Sequence, residues 1–331
     1  MKPNQLLKSA YSLGKYHLFK RKTPLSVIFS ITHECNYKCK YCQVPIQGKK
    51  DLNTEQVLDL IKQMKEAGTQ RLGIQGGEPL LRNDIGKIIN YAKELDMFVT
   101  MGTNGSLLKD KIKDIKNVDA IVTSYDGPNA HNNYREKGSY ESMLKSIKLA
   151  VDNGIKVWNV TVLSKDSIEN IDLILKQSKD IGFHVYFTPM MNLDTTGDTA
   201  SIIPSKENYK KAIEKLTILK KEKNNKILNS ISYLKYIKTW PDFKKTIISD
   251  ERYKCYASKL YCHVAPDGKV YPCINLIHKT KGHDVVKLGF KNAFQKSSRL
   301  NCKCSTFSFV ELNLLFSLNI SSVYNSINQI K

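Results

Sequence analysis

The cysteines constrain this chain more than any other feature. Three of the eight lie close together at Cys35, Cys39 and Cys42, and the other five follow a long cysteine-free stretch that ends at Cys255. In a reducing compartment, grouped cysteines indicate metal or redox chemistry more often than disulfides. We therefore treat both groups as candidate metal or redox sites.

Composition excludes several classes of protein. With 331 residues, of which 41% are hydrophobic, the chain can bury a substantial core, so disordered and collagen-like structures are excluded. No uninterrupted apolar run is long enough to span a bilayer. Lysines interrupt the apolar positions near the N-terminus, and no small-residue cleavage site follows, which argues against a secretory signal. We expect a cytoplasmic protein.

The charge is strongly basic. The 52 Lys and Arg residues outnumber the 31 Asp and Glu residues and give a net charge of +21, which favours acidic partners. Few of the basic residues are arginines, whereas specific nucleic-acid readers depend on the bidentate guanidinium. Nucleic acid is therefore disfavoured as a partner, although the charge alone does not identify another.

From Pro24 onward, apolar strand-like runs alternate with amphipathic helical stretches, and this pattern predicts six βα units around a parallel sheet. The predicted strands span 25–32, 71–75, 97–103, 118–125, 155–162 and 183–189. The predicted helices span 54–67, 84–95, 107–115, 140–153 and 167–180, and two lysine-rich helices follow at 205–224 and 227–240. An open doubly wound sheet and an incomplete barrel both fit the pattern, and both place chemistry at the carboxyl ends of the strands.

Four motifs fall at those strand ends. The first cysteine group follows strand one, and Gly76-Gly77-Glu78-Pro79 follows strand two. Thr103-Asn104-Gly105 ends strand three, and Ser124-Tyr125-Asp126-Gly127 ends strand four. We therefore expect the four loops to meet on one face of the sheet.

The spacing of Cys35, Cys39 and Cys42 lets three thiolates converge on one compact metal centre. Iron–sulfur cubanes normally take four Cys ligands, so three local ligands would leave one iron exchangeable. The spacing alone also allows a zinc site completed by His33 or a distant cysteine, or three thiols without a metal.

The first cysteine group, with Tyr41 directly before its last member, resembles the signature of the radical S-adenosylmethionine (SAM) enzymes. The resemblance continues in order through the three other strand-end motifs and covers about residues 24–189. It implies a partial (β/α)6 TIM-type barrel and a [4Fe-4S] cluster on Cys35, Cys39 and Cys42. In that family, the open iron of the cluster binds SAM through the amino and carboxylate groups of its methionyl part.

The resemblance also implies a set of cofactor-binding residues. Glycines at the second strand end allow close backbone approach, and Glu78 is a suitable anionic acceptor for the methionyl ammonium. The position of Tyr41 is implied to lie near the adenine. The predicted set comprises Tyr41, Gly76, Gly77, Glu78, Asn104, Ser124, Asp126 and Arg135, of which Ser124 and Asp126 would contact ribose or carboxylate and Arg135 the SAM carboxylate. His33 and Glu34 are expected to pack locally, and no general base is assigned.

The second cysteine group resembles the auxiliary-cluster extension of radical SAM enzymes, known as SPASM or, in its shorter form, twitch. Five cysteines are present where one cubane needs four, so the resemblance implies one auxiliary [4Fe-4S] cluster. Cys255 and Cys273 are the strongest candidate ligands, and Cys302 and Cys304 come next. We expect these last two to bind together only from a bent loop. Cys262 is either a substitute ligand or a buried apolar residue.

These observations predict four segments. A basic amphipathic helix at 1–23 covers the barrel bottom or lies on an anionic membrane, and the barrel with its following helices spans 24–240. A small auxiliary cluster domain spans 241–305, and a tail ending in a helix spans 306–331.

We expect a radical SAM oxidoreductase or maturase that cleaves SAM to a 5′-deoxyadenosyl radical and abstracts hydrogen from a peptide or protein. Flavodoxin or ferredoxin would supply the electron. One alternative substrate class is a small metabolite or a lipid or cofactor precursor. An alternative of another class is a non-enzymatic iron–sulfur regulator that binds nucleic acid.

Overall fold

The six predicted βα units are present and form a partial TIM barrel. The computed structural model describes residues 2–42, 44, 50–192, 199, 201–222 and 224–330. Helix α1 (Pro3–Phe19) precedes the sheet. The parallel strands are β1 (Ser26–Ser30), β2 (Arg71–Gln75), β3 (Phe98–Thr103), β4 (Ala120–Thr123), β5 (Val157–Leu163) and β6 (His184–Pro189). The helices between them are α2 (Thr54–Glu66), α3 (Ile85–Glu94), α4 (Leu108–Lys111), α5 (Pro128–Tyr134), α6 (Ser139–Asp152) and α7 (Ile171–Ile181).

Successive strand residues point to opposite sides of the sheet, and apolar side chains cluster on both sides. On β1, Val27 and Phe29 are fully buried in the main core, which also contains Val57 and Ile61 of α2. The opposite face lines the barrel interior, where a smaller cluster includes Phe98, Ala120 and Trp158. Helix α2 begins where the Asn53 side chain accepts a hydrogen bond from the backbone N–H of Gln56, at the start of the predicted helix 54–67.

The chain after β6 adds two helices and then returns to the sheet. The elements are α8 (Lys206–Leu219), α9 (Ile231–Lys238), β7 (Ile247–Ser249), β8 (Tyr261–Val264), β9 (Lys269–Tyr271), β10 (His283–Asp284), α10 (Val285–Leu288), α11 (Phe290–Lys296), β11 (Cys302–Cys304), α12 (Phe307–Phe316) and α13 (Ile320–Ile330). Strand β8 pairs in parallel with β1, and β9 and β10 follow antiparallel. The resulting strand order is β10-β9-β8-β1-β2-β3-β4-β5-β6. The segment 241–305, predicted as a separate domain, thus contributes three strands to the barrel sheet, and its status as a domain stays a prediction.

Some local predictions were wrong in extent. Helix α4 covers only Leu108–Lys111 of the predicted 107–115, because the chain then continues in turns with i to i+3 hydrogen bonds such as Asp114 N to Lys111 O. Helix α5 was not predicted at all. It begins at Pro128, which fits a first helical turn because that position needs no backbone donor.

None of the described helices is both long enough and apolar enough to cross a lipid bilayer.

Candidate cofactor and metal site

The first cysteine group lies together on the loop after β1. Cys35, Cys39 and Cys42 are each partly buried, and the charges that act on the Cys39 thiol include those of Cys35 and Cys42. Burial raises the pKa of the Cys39 thiol to about 11, although the positive charge of Arg135 acts in the opposite direction. Burial also raises the pKa of Cys35. Metal binding at this loop must therefore displace protons from the thiols.

Asp51 anchors the chain just before the cysteines. Its carboxylate accepts hydrogen bonds from the Thr32 hydroxyl (2.6 Å), from the backbone N–H of His33 (3.2 Å) and from the His33 ring Nδ1 (2.7 Å). The local packing expected of His33 is confirmed. Asp51 was missed in the sequence, where it follows the loop as one acidic residue among polar neighbours with no recognisable spacing.

Gly76 and Gly77 bring the loop after β2 against the start of the cysteine loop. A Cβ on Gly76 would lie 2.4 Å from the carbonyl oxygen of Thr32, and one on Gly77 would lie 2.0 Å from that of Glu34. The φ of Gly76 is +149°, which other residues rarely adopt. The N–H of Gly77 donates to the Thr32 carbonyl, and that of Glu78 donates to the Glu34 carbonyl. The close approach expected of these glycines is made here with the protein's own backbone.

Glu78 joins the loop after β2 to the end of β3. Its side chain is fully buried. Oε1 accepts from the Leu80 N–H (3.1 Å) and the Thr103 hydroxyl (2.8 Å), and Oε2 accepts from the Asn104 N–H (2.6 Å). The carboxylate thus positions two loops. Its direct contact with a ligand ammonium stays a prediction.

Asn104 connects β3 to the cysteine loop. Its side-chain amide donates to Oδ1 of Asn36 (2.9 Å) and approaches the Cys35 sulfur (3.9 Å). The backbone N–H of Tyr37 also points at the Cys35 sulfur (3.5 Å). N–H groups directed at a thiolate stabilise its charge, so Cys35 lies in surroundings suited to a ligand thiolate.

A buried ion pair lies beside the cysteine loop. Arg135, directly after α5, donates from Nε to Oδ2 of Asp126 (2.7 Å), and both side chains are largely buried. The other carboxylate oxygen of Asp126 accepts from the Val162 N–H (2.8 Å). The guanidinium carbon of Arg135 lies 5.4 Å from the centre of the Tyr41 ring. Arg135 is therefore a buried, paired cation and not a solvated surface residue.

The Tyr41 hydroxyl is buried and has no hydrogen-bond partner among the described residues. A buried hydroxyl left unpaired costs free energy, so this atom is suited to meet a polar group of a bound ligand. Ser124 follows β4 and is half-buried. The fully buried Asn159 of β5 shapes the same loop, because its Oδ1 accepts from the Tyr125 N–H (2.8 Å) and its Nδ2 donates to the Tyr125 carbonyl (2.9 Å). This polar residue within an apolar strand was the available signal for a role that sequence reasoning missed.

Four of the five C-terminal cysteines converge on one small apolar cavity. The cavity is lined by Cys255, Cys273, Cys302 and Cys304. Burial raises the pKa of the Cys304 thiol to about 12 and that of Cys273 well above its ordinary value, and the other thiols of this set act in the same direction. The expectation of a bent loop was wrong: Cys302 and Cys304 lie on β11, and residues two apart on a strand share a face.

Cys262, the substitute ligand candidate, is not among the cysteines that line this cavity. It lies on β8 next to Tyr261, whose hydroxyl is 3.3 Å from the Cys255 sulfur. Neighbouring strand residues point to opposite faces, and Cys262 is fully buried in the main core beside Val264. Burial is the sole cause that raises its pKa. The alternative, a buried apolar residue, is the one the structure favours.

The thiol groups do not form a site for a single ion. Among the residues the structure describes, no three His, Cys, Asp or Glu side chains are placed to hold one metal ion. A cubane spaces its ligands around a larger body of iron and sulfide. Three grouped thiols on this loop fit such a cluster, and the nearby Tyr41 hydroxyl, which no described residue pairs, fits a polar ligand. The four thiols around the C-terminal cavity equal in number the ligands that one closed cubane takes.

Comparison with known proteins identifies a family and several relatives. Residues 29–178 match the family model described as the Radical SAM superfamily. The chain is 23% identical over 265 residues to the PqqA peptide cyclase of Granulibacter bethesdensis, covering 76% of this chain and 67% of that protein. It is 25% identical over 274 residues to the AdoMet-dependent heme synthase of Methanosarcina barkeri, covering 76% of each.

The fold is shared with a solved structure, Streptococcus suis SuiB bound to S-adenosylmethionine. The TM-score is 0.67 at 16% identity, covering 88% of this chain and 70% of SuiB. SuiB has also been solved with its precursor peptide SuiA, and that structure matches with a TM-score of 0.66.

Proposed function

Because residues 29–178 form a Radical SAM domain, we propose that this protein cleaves SAM reductively and uses the resulting radical to abstract hydrogen from a substrate. One observation carries the proposal. The loop with Cys35, Cys39 and Cys42 lies at the carboxyl edge of the barrel, next to the buried pair of Asp126 and Arg135. Three thiols for a cluster and a buried cation for a carboxylate are the two binding elements that SAM requires.

When bound, a reduced [4Fe-4S] cluster supplies the electron that divides SAM into methionine and a 5′-deoxyadenosyl radical. The residues of the chain hold and orient the reactants. Arg135 donates to Asp126 from Nε. Its two terminal guanidinium nitrogens take no part in that hydrogen bond, and we assign them to the SAM carboxylate. We assign the adenine to the side of Tyr41, whose hydroxyl has no partner within the described part of the chain. Glu78 and Asn104 keep the second and third loops in place around the cysteines.

The proposal includes one auxiliary [4Fe-4S] cluster on Cys255, Cys273, Cys302 and Cys304. With four protein ligands, such a cluster has no open iron, so its role is electron transfer and not substrate binding. The clustered free thiols favour the reducing cytoplasm as the location. A flavodoxin or ferredoxin is the class of donor that would reduce the first cluster.

We favour a peptide or protein as substrate. Two relatives support this choice: the PqqA peptide cyclase by its name, and SuiB by its structure with the precursor peptide SuiA. The second candidate is a small metabolite or cofactor precursor, which the similarity to a heme synthase favours, because that protein is matched over a larger share of its length.

The first test is SAM cleavage. We expect the anaerobically reconstituted protein, given dithionite and SAM, to release 5′-deoxyadenosine. Cys39→Ala should abolish the release because it removes a ligand thiol. Cys262→Ala should retain it, since that thiol lies in the main core. Release that persists in Cys39→Ala would contradict the cluster assignment. Salt-sensitive nucleic-acid binding without any release would favour the non-enzymatic regulator.

A second test separates the substrate classes. We expect peptides encoded next to this gene to increase 5′-deoxyadenosine release. The peptides should also lose the mass of hydrogen atoms, because a new bond within the peptide replaces bonds to hydrogen. A tetrapyrrole or other small precursor should have no such effect. The opposite outcome would assign the protein to the second candidate class.

A further inference from the structure

Helix α1 is firmly attached to the barrel by one face. The side-chain amide of Gln5 donates to Oδ1 of Asp96 (3.2 Å), two residues before β3 begins. At the other end, the His17 ring donates from Nε2 to the carbonyl of Phe316 (2.8 Å). Tyr16 is buried, and its ring lies 5.6 Å from that of Tyr256. The helix is therefore a fixed element at the amino-terminal edge of the barrel, as one of its predicted placements required.

The opposite face of α1 carries large apolar side chains in solvent. Leu7 is 71% exposed, Tyr11 64% and Leu18 76%, and Phe19 at the helix end is 75% exposed. The first three are spaced by four and seven residues, so they form one stripe along the helix. Gly14 lies within the stripe, with no atom within 4 Å of the position a Cβ would take. Nothing in the described part of the chain covers this face.

Basic residues border the apolar stripe, and acidic ones are absent from it. The first acidic residue of the sequence is Glu34. The ammonium of Lys15 lies 4.2 Å from the centre of the Tyr11 ring. Lys20, Arg21 and Lys22 follow directly after the helix and line a cleft with Lys291, in which Glu66 is the lone carboxylate among the described lining residues.

An exposed apolar side chain from the C-terminal part of the chain lies near the end of the stripe. Leu318 is more than half exposed. It lies two residues after Phe316, whose carbonyl accepts the hydrogen bond from His17. Two residues span at most about 7 Å of chain. Leu18, Phe19 and Leu318 thus belong to the same side of the molecule, beside the three consecutive basic residues.

We propose that this face of α1 docks onto the surface of an anionic lipid bilayer. Leucines and aromatic rings would enter the boundary between headgroups and acyl chains, and the lysines and arginine would contact lipid phosphates. A nucleic acid has no place for a stripe of leucines, whereas a bilayer takes both components. The helix lies at the amino-terminal edge of the barrel, so docking leaves the cysteine loop at the carboxyl edge facing away from the membrane and open to substrate.

The test is co-sedimentation of the full chain with vesicles. We expect binding to equimolar phosphatidylcholine and phosphatidylglycerol, little binding to phosphatidylcholine alone, and a decrease with added salt. Leu7→Ser with Leu18→Ser should weaken binding by about tenfold or more, because it removes apolar insertion. Substituting Lys20, Arg21 and Lys22 by Gln should weaken it by a similar factor. Four of these residues are exposed, and Lys22 is partly exposed, with its ammonium donating, among the described residues, only to the carbonyl of Gln295 (3.2 Å). Folding should therefore be unaffected.

Matched controls are Ile218→Ser and Val286→Ser, each 66% exposed on other helices, and both should bind like the unmodified chain. Equal binding by the Leu7 and Leu18 variant would overturn the proposal, as would an absence of binding to anionic vesicles. A dimer in solution that the same variant dissociates, without vesicle binding, would assign the stripe to a second copy of the chain. SAM cleavage should be unchanged in every variant, so the result is independent of the proposed activity.

Discussion

Arg135 donates from Nε to Oδ2 of Asp126 across 2.7 Å, next to the loop that carries Cys39. The pair joins the loop after β4 to the residue that follows α5. Asp126 also accepts from the N–H of Val162, which fixes it to the end of β5. Two strand ends and a helix end therefore meet at one buried pair of charges, and its integrity should affect both stability and ligand binding.

Removing the charge of Asp126 should be costly. Asp126→Asn leaves the Arg135 guanidinium buried without a counter-charge, and breaking such a pair costs about 3 to 5 kcal/mol of unfolding free energy. Urea unfolding of the metal-free protein measures this loss. SAM binding to the reconstituted protein, measured by equilibrium dialysis, should weaken in parallel.

An exposed ion pair provides the matched control. Lys215 and Asp172 lie at a similar distance, 2.6 Å, but are much more exposed to solvent. Asp172→Asn should cost less than about 1 kcal/mol. Equal losses for the two Asp to Asn changes would show that burial of the Asp126 pair has no energetic importance.

Gly77→Ala should disrupt the cysteine loop. The new methyl group would lie 2.0 Å from the carbonyl oxygen of Glu34, so one of the two backbones must move. We expect a loss of about 1 to 3 kcal/mol and reduced iron incorporation, measured by thermal unfolding and by iron content. Gly14→Ala, on an open helix face, should instead stabilise by about 0.5 to 1 kcal/mol. Full iron content in Gly77→Ala would contradict the role of this contact.

Iron content also tests the auxiliary ligands. The reconstituted chain should hold about eight irons, the number for two cubanes. Cys273→Ala should reduce this to about four, because it removes one of the thiols that line the C-terminal cavity. Cys262→Ala, at an equally buried thiol, should leave the content unchanged. Loss of iron in both variants, or in neither, would contradict the assignment.

Glu311 should make stability depend on pH. Burial raises the pKa of this carboxyl from 4.5 to about 7, although it accepts from the Ser230 N–H (2.7 Å) and the charge of Lys220 opposes the rise. As pH increases from 4.5 to 7, the unfolded chain releases this proton while the folded chain retains it. The contribution of Glu311 to folding stability is therefore present at low pH and is lost as pH rises through this range.

Glu311→Gln removes the titrating group, so the unfolding free energy of this variant should lack the pH-dependent contribution of Glu311. We expect the unfolding free energy of the unmodified protein, relative to Glu311→Gln, to decrease between about pH 5 and pH 8. Urea unfolding at both pH values measures the difference. Glu207→Gln, at an exposed glutamate paired with Lys211, should show no such decrease. A difference that stays constant with pH would mean that Glu311 ionises normally.

The predictions from sequence succeeded where information is local. Hydrophobic periodicity located the six strands within a few residues, with β2 at 71–75 as predicted. The order of the strand-end motifs indicated the family before any geometry was known. Predictions were weaker where distant segments meet. That Asp51 anchors His33 and that Asn159 shapes the loop of Asp126 depends on pairings across separate strands and loops.

By itself, the sequence determined the βα alternation, the cysteine spacing and the positions of glycine, because each follows from side-chain period or backbone freedom over a few residues. The tertiary structure alone decided which thiols share a cavity. Cys262 and Tyr261 are neighbours in the chain, yet strand pleating sends one into the core and the other to Cys255. The tertiary structure also decided which protein groups bind Glu78 and Arg135, because a buried charge without a hydrogen-bonding or ionic partner costs much free energy.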